Sequence, residues 1–155
     1  MEHVAASAPR ATGCLFEPPG EGSSDKAHLL LFRDWLLVVL LNRFPYANGH
    51  LLVAPRRHTG DLADLTPEEN SALMAMLAFC SQTLRRRFHA EGLNIGLNLG
   101  ACAGAGIPGH LHFHVVPRWP GDHNFMTVLA ELRTIPQHIE RSFDVLLPDF
   151  QNYRP

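Results

Sequence analysis

The sequence has little of several features that would assign it to a specialised class of protein. It contains three cysteines in 155 residues, at positions 14, 80 and 102. So few cysteines, in an odd number, do not indicate a disulfide framework, and we expect reduced thiols and a cytoplasmic location. Charged residues make up only 18% and the formal net charge is −2, so we expect no nucleic-acid partner. The longest apolar run, Trp35 to Leu41, is too short to span a membrane, and residues 1–12 lack the hydrophobic segment of a signal peptide. We therefore expect no membrane partner.

What is present fits one domain. An apolar content of 46% in a chain of this length allows a buried core. Residues 1–12 are small and polar and predict a flexible N-terminal tail. We expect a single domain over residues 13–148 and a peripheral C-terminal tail over 149–155.

The order of the elements predicts an α+β fold with an antiparallel sheet. Apolar or alternating segments predict five strands, over residues 28–33, 35–41, 50–55, 93–99 and 110–116. Thr66, Pro67 and Glu69 predict a capped helix start, an apolar stripe follows at helical spacing, and Gly92 is expected to end this long helix. A second helix is expected from Pro136 to about residue 147.

Three histidines alternate with apolar residues in the segment His110-Leu-His-Phe-His-Val. On a strand, His110, His112 and His114 would share one face, each roughly 6.5–7 Å from the next. Three histidines on one face are hard to explain as core residues. They indicate either a metal cage or a nucleophile with positioning neighbours.

The segment before the histidines favours phosphate chemistry over a metal cage. Residues 98–109 are small and rich in glycine, so their backbone N–H groups can approach an anion closely. A metal site would also be expected to have a carboxylate beside the histidines. The next carboxylate downstream is Asp122, which lies beyond the end of the predicted strand.

Several motifs together resemble the histidine triad (HIT) family of nucleotide hydrolases and transferases. They are the segment from His110 to Met126, the preceding Asn-Ile-Gly-Leu-Asn-Leu-Gly, and the earlier Leu-Asn-Arg-Phe-Pro-Tyr-Ala-Asn-Gly-His ending at His50. The branch that contains diadenosine tetraphosphate phosphorylases is the most similar. The resemblance implies a five-stranded antiparallel sheet, a homodimer joined through strands and long helices, and a small-molecule nucleotide substrate.

The resemblance also implies roles for particular residues. His112 is expected to attack phosphorus, His114 to contact phosphate, and His110 to support the site, with His50 beside them. The substrate-binding positions implied are Asn42 for the ribose, Asn98 for the phosphate or nucleophile region, backbone N–H groups of Gly106 and Ile107, and Trp119, which either walls the cleft or covers the core.

Metal binding is a separate question at the N-terminal end of the domain. Many members of the family carry Cys-x-x-Cys there and bind structural zinc with two later histidines. Here the corresponding residues are Cys14, Glu17, His58 and His110. A carboxylate can bind zinc, but the sequence favours a lapsed site, so we expect neither zinc nor any required cofactor. Magnesium is expected only as a companion of a polyphosphate substrate.

The expected activity is cleavage of dinucleoside polyphosphates through a covalent nucleotidyl-His112 intermediate, with phosphate or water as acceptor. One alternative is a nucleoside phosphoramidase, but the segments Pro117-Arg-Trp and Asn124-Phe-Met are evidence against it. Others are a non-catalytic nucleotide-binding protein and a histidine-metal hydrolase.

Overall fold

A computed structural model of the chain describes residues 13–18, 25–122 and 136–155, the last of these without the side chains of residues 136–138. The expected N-terminal tail over residues 1–12 lies outside the described residues. So do residues 124–126 of the motif.

Five strands form one sheet in which every neighbouring pair is antiparallel, which confirms the expected α+β fold. The order across the sheet is β1-β2-β3-β5-β4, with β1 at Leu30–Arg33, β2 at Leu37–Leu41, β3 at Leu51–Pro55, β4 at Gly92–Leu97 and β5 at Phe113–Arg118. The first two strands form the predicted hairpin. At its turn, Oδ1 of Asp34 accepts hydrogen bonds from the N–H groups of Leu36 and Leu37.

The long helix α1 spans Pro67–Phe88 and begins as predicted. The Thr66 hydroxyl accepts from the N–H of Glu69, and the Glu69 carboxylate accepts from the N–H of Thr66. The expected end at Gly92 was wrong, because His89 takes the left-handed conformation at φ 52° and ends the helix three residues earlier. Histidine is among the residues that tolerate this conformation.

The C-terminal helix α2 spans Pro136–Gln151, so it runs past the expected end near residue 147. The expectation of a peripheral tail from residue 149 was also wrong. Phe150 is 1% exposed in the core, and Tyr153 packs edge-on against Phe32. Burial of Phe150 stabilises the last turn even though Pro148, inside the helix, lacks an N–H donor.

The sheet separates two clusters of buried side chains. One face packs against both helices and includes Leu111 and Val115. The other face carries a smaller cluster around Phe16, and His110 and His112 lie against it. The alternation of the histidine segment is therefore confirmed.

The expectation that the whole histidine row lies on a strand was wrong. β5 begins at Phe113, so His110 and His112 precede it in extended chain. Pairing with β3 starts at Val53, and Pro55, which has no N–H, cannot extend the ladder. The N–H of Leu111 instead donates to the carbonyl of Thr59 at 2.6 Å.

Candidate active site

The tautomer of His112 follows from one short contact. Its Nδ1 lies 2.9 Å from the backbone carbonyl oxygen of His110. A carbonyl oxygen only accepts hydrogen bonds, so Nδ1 must carry the proton and donate it. The lone pair is then on Nε2. His112 is 7% exposed and its ring stacks on Phe16, with centroids 4.8 Å apart. The ring is therefore held with a nucleophilic nitrogen defined.

A second chain of contacts fixes His50 and His114. The N–H of Tyr46 donates to Nδ1 of His50 at 3.1 Å, so the proton of a neutral His50 is on Nε2. This Nε2 lies 2.9 Å from Nδ1 of His114, which must accept. The proton of a neutral His114 is therefore on its own Nε2. The Nε2 atoms of the two neighbouring rings, whose centroids are 5.1 Å apart, therefore differ: that of His112 carries a lone pair, and that of His114 carries a proton that it can donate.

Burial favours the neutral forms of three of the histidines. It lowers the pKa of His50 to about 4, with a smaller contribution from His114. Burial also lowers the pKa of His114, and the nearby His112 acts in the same direction. The pKa of His110 is lowered mainly by burial as well. Neutral imidazoles are what the tautomer pattern requires.

The glycine-rich loop leads into the histidine row and is held partly by its own side chains. Nδ2 of Asn98 donates to the carbonyl of Gly104 at 3.4 Å, so Asn98 braces the loop. The side chain of Ile107 packs on the Phe16 cluster, and its carbonyl accepts from the N–H of His110. Within the part of the chain that the structure describes, the N–H groups of Gly106 and Ile107 donate to no protein acceptor. They are available to an anion.

Of the other two residues expected to bind substrate, Asn42 lies beside the histidines and Trp119 does not contact them. Asn42 lies beside His50, at 3.4 Å from Nδ1, and its Oδ1 accepts from the N–H of Phe44. Trp119 does not meet the histidines in this chain. It follows the far end of β5, and its indole N–H donates to the carbonyl of Phe88 at the end of α1. That contact satisfies a helix-end carbonyl.

Sequence reasoning missed two aromatic residues that bracket the row. The sequence patterns assign no role to Phe16, yet it is fully buried and contacts both His110 and His112. Tyr46 stands in the motif that ends at His50 but is given no role there, yet its ring lies 4.8 Å from that of His50. Both residues are far from the triad in sequence, so no local pattern predicts that they contact it. The only available signal is that each is an aromatic residue next to residues that form turns.

A second cluster lies at the His110 end of the row. The ligand atoms of Cys14, His58 and His110 all lie within 4.8 Å of one another, and Sγ of Cys14 is 3.2 Å from Nδ1 of His110. Nε2 of His110 donates to the carbonyl of Pro55 at 2.8 Å, which leaves Nδ1 as the nitrogen for a metal. Oε1 of Glu17 is 3.5 Å from Nδ1 of His58. This donor set of thiolate, imidazole and carboxylate fits zinc.

The fold and the histidine row define a histidine triad protein. A family model described as the HIT domain matches residues 24–121, and the chain belongs to this family. A protein named AP-4-A phosphorylase from Mycobacterium tuberculosis is 43% identical over 114 residues, which are 74% of this chain and 58% of that protein. The asymmetrical bis(5'-nucleosyl)-tetraphosphatase of Schizosaccharomyces pombe is 36% identical over 93 residues, 60% of this chain and 50% of that protein. The chain thus spans between half and three fifths of the length of these relatives.

Among solved structures, a zinc-bound histidine triad family protein from Mycobacterium smegmatis superposes with a TM-score of 0.65. It is 32% identical, and the match covers 79% of this chain and 84% of that one.

Among the described residues, no helix combines the length and apolar character needed to cross a bilayer.

Proposed function

We propose that this chain cleaves dinucleoside polyphosphates through a covalent nucleotidyl intermediate on His112. The observation that carries the proposal is the 2.9 Å contact from Nδ1 of His112 to the carbonyl of His110, because it leaves the lone pair on Nε2. The names of the two relatives with 43% and 36% identity support the substrate class.

In the first step, Nε2 of His112 attacks the α-phosphorus of the substrate. An N–P bond forms, the bond from phosphorus to the bridging oxygen breaks, and the electron pair leaves with the departing nucleotide. The ring becomes positively charged, and its Nδ1–H donates more strongly to the carbonyl of His110. The Nε2–H of His114 and the free N–H groups of Gly106 and Ile107 donate to phosphate oxygens that gain charge.

In the second step, the oxygen of an acceptor attacks the same phosphorus. The acceptor loses its proton to solvent, the N–P bond breaks, and the pair returns to Nε2 of His112. We infer orthophosphate as the acceptor, because the more similar of the two relatives described is a phosphorylase by name. No metal is needed for either step, and magnesium would only accompany the polyphosphate.

The test is product analysis with diadenosine tetraphosphate, with and without orthophosphate. We expect ADP and ATP, formed only when phosphate is present. AMP and ATP in both conditions would make water the acceptor and the chain a hydrolase. If both mixtures remain uncleaved while adenosine 5′-phosphoramidate is hydrolysed, the proposed substrate class is wrong. If neither substrate reacts, the chain is a nucleotide-binding protein.

We also propose that Cys14, His58 and His110 hold a structural zinc ion with Glu17 in the fourth position. The support is the clustering of the ligand atoms of Cys14, His58 and His110 within 4.8 Å, and the hydrogen bond from His110 to Pro55. Glu17 is the fourth candidate because its Oε1 lies 3.5 Å from Nδ1 of His58. Bound zinc would fix the His110 backbone, whose carbonyl orients His112.

A homodimer and a cytoplasmic location also remain proposals. Strand β4 lies at an edge of the sheet, and its central residue Ile95 is 45% exposed, so a second copy could pair there. All three cysteines are free, as expected in a reducing compartment. Size-exclusion chromatography with light scattering tests the dimer, and a monomer mass would overturn it.

A further inference from the structure

Tyr46 is a large aromatic residue that the fold holds in place without burying it. Its side chain is 75% exposed. One side of the ring rests on the histidines, with centroids 4.8 Å from His50 and 6.1 Å from His114. The Tyr46 and His114 rings are within 16° of parallel. Burial does not account for this residue, because most of the ring faces solvent.

The loop that carries Tyr46 is fixed by backbone contacts on both sides of it. The N–H of Tyr46 donates to Nδ1 of His50 at 3.1 Å. Before it, Oδ1 of Asn42 accepts from the N–H of Phe44 at 3.0 Å, and after it the N–H of His50 donates to the carbonyl of Ala47 at 3.1 Å. The ring is therefore positioned before any ligand arrives, which lowers the entropic cost of stacking on it.

The order of rings along the row indicates which part of a substrate would pass Tyr46. Phe16 flanks His112 on one side and is fully buried, so it offers no open face. His114 is the other ring neighbour of His112, and His114 in turn contacts His50 and Tyr46. The departing oxygen needs a hydrogen-bond donor, and in the proposed mechanism the Nε2–H of His114 supplies it. The departing half of the substrate then extends past His114 towards Tyr46.

We propose that the ring of Tyr46 stacks the base of the nucleoside that departs, and so selects substrates with a nucleoside at both ends of the polyphosphate. This inference rests on the proposed function. Every nucleobase has a flat π-face, so an aromatic ring binds the second base with little dependence on its identity. The backbone N–H of Tyr46 orients His50, whereas the side chain binds substrate.

The experiment compares two ligands at equilibrium in the His112→Asn background, which prevents turnover. Diadenosine tetraphosphate has two bases and adenosine 5′-tetraphosphate has one. Dissociation constants are measured by calorimetry for Tyr46→Ala, for Tyr46→Phe and for Trp35→Ala. Trp35 is the matched control, because it is 71% exposed and lies at the opposite end of β2.

With Tyr46 intact, we expect diadenosine tetraphosphate to bind about tenfold more tightly than adenosine 5′-tetraphosphate, in line with base–aromatic stacking. Tyr46→Ala should remove this preference by weakening the two-base ligand alone. Tyr46→Phe and Trp35→Ala should retain it.

Each other result overturns the inference. Equal weakening of both ligands by Tyr46→Ala would mean that the ring supports the histidines or the transferred nucleoside. Loss of the preference in Tyr46→Phe would assign the effect to the hydroxyl. A preference that is absent at the outset or survives Tyr46→Ala would leave no second-base site at Tyr46. Turnover by the unsubstituted protein is measured separately, so its absence would contradict the proposed function while the binding ratio still decides the role of Tyr46.

Discussion

Nδ1 of His112 donates to the backbone carbonyl of His110 across 2.9 Å, and this contact joins two histidines of the same row in different roles. The first provides a carbonyl that orients the second. The second is thereby left with its lone pair on Nε2. In the proposed mechanism, a backbone carbonyl two residues earlier in the chain therefore selects the tautomer of the nucleophile, and no carboxylate partner is needed for this.

Replacing His112 with Asn should remove catalysis and keep the fold. Asparagine can still donate to the His110 carbonyl, but it has no ring nitrogen with a lone pair. We expect the rate of substrate cleavage to fall by about 10³-fold or more, with unchanged thermal unfolding. Steady-state kinetics and a melting curve measure both. A variant that cleaves at the unsubstituted rate would refute covalent catalysis by His112.

Acid should destabilise the protein through His50. Its pKa is about 4 in the folded chain, against an ordinary value of 6.5, so the unfolded chain binds more protons between these pH values. The stabilisation due to neutral His50 is complete above pH 6.5 and is lost as pH falls towards 4, by about 3 kcal/mol at most. Denaturant unfolding of the unsubstituted chain and of His50→Gln at pH 7.5 and 5 should show a smaller pH dependence in the variant. Equal slopes would contradict this assignment.

The proposed zinc site predicts a metal content that depends on Cys14. Protein purified without chelator should contain about one zinc per chain. Cys14→Ser should lose most of the metal and melt at a lower temperature. Cys102→Ser is the control, because Cys102 is exposed and outside the cluster. Metal analysis decides, and an unsubstituted chain that binds no added zinc would show that the site has lapsed.

Asp149 should matter for stability more than its place near the end of the chain indicates. Its carboxylate is 11% exposed and accepts hydrogen bonds from Arg87 and Arg86, which join α2 to α1 and lower its pKa. Asp149→Asn should cost about 1–3 kcal/mol in the free energy of unfolding at pH 7.

The matched control for Asp149 is Asp144→Asn on the same helix. Asp144 is 58% exposed and pairs with Lys26, so its loss should change stability little. Because the pKa of Asp149 is depressed, the difference between the two variants should be full above the ordinary carboxyl pKa and shrink as the solution becomes more acidic. Equal effects of the two substitutions at pH 7 would show that the Asp149 pairs are not stabilising.

Helices and strands could be predicted from the sequence where they depend on interactions between neighbouring residues. The capping box at Thr66 and the apolar/polar alternation around His112 depend on neighbouring residues, and both are confirmed. The end of α1 at His89 could not be predicted, because a non-glycine residue takes the left-handed conformation there. The end of α2 was missed because burial of Phe150, a long-range effect, outweighs the local signal of Pro148.

The site was predictable in its residue types but not in its contacts. The alternation of His110, His112 and His114 with apolar residues predicted that the histidines lie apart from the core side chains of the same segment. Contacts between segments far apart in sequence, such as the ring of Phe16 on His112, have no local pattern that would predict them. The same holds for Trp119, which bonds to the end of α1 and lies away from the row.

The most direct test of the account is to look for the nucleotide on His112. The protein is mixed with diadenosine tetraphosphate without orthophosphate, quenched within the first turnover, digested at neutral to alkaline pH and analysed by mass spectrometry. The account predicts one adenylyl group on the peptide that carries His112, bonded through Nε2, and its discharge when phosphate is added. Cleavage of the substrate with no adenylylated peptide, or with the label on another residue, would contradict the central claim.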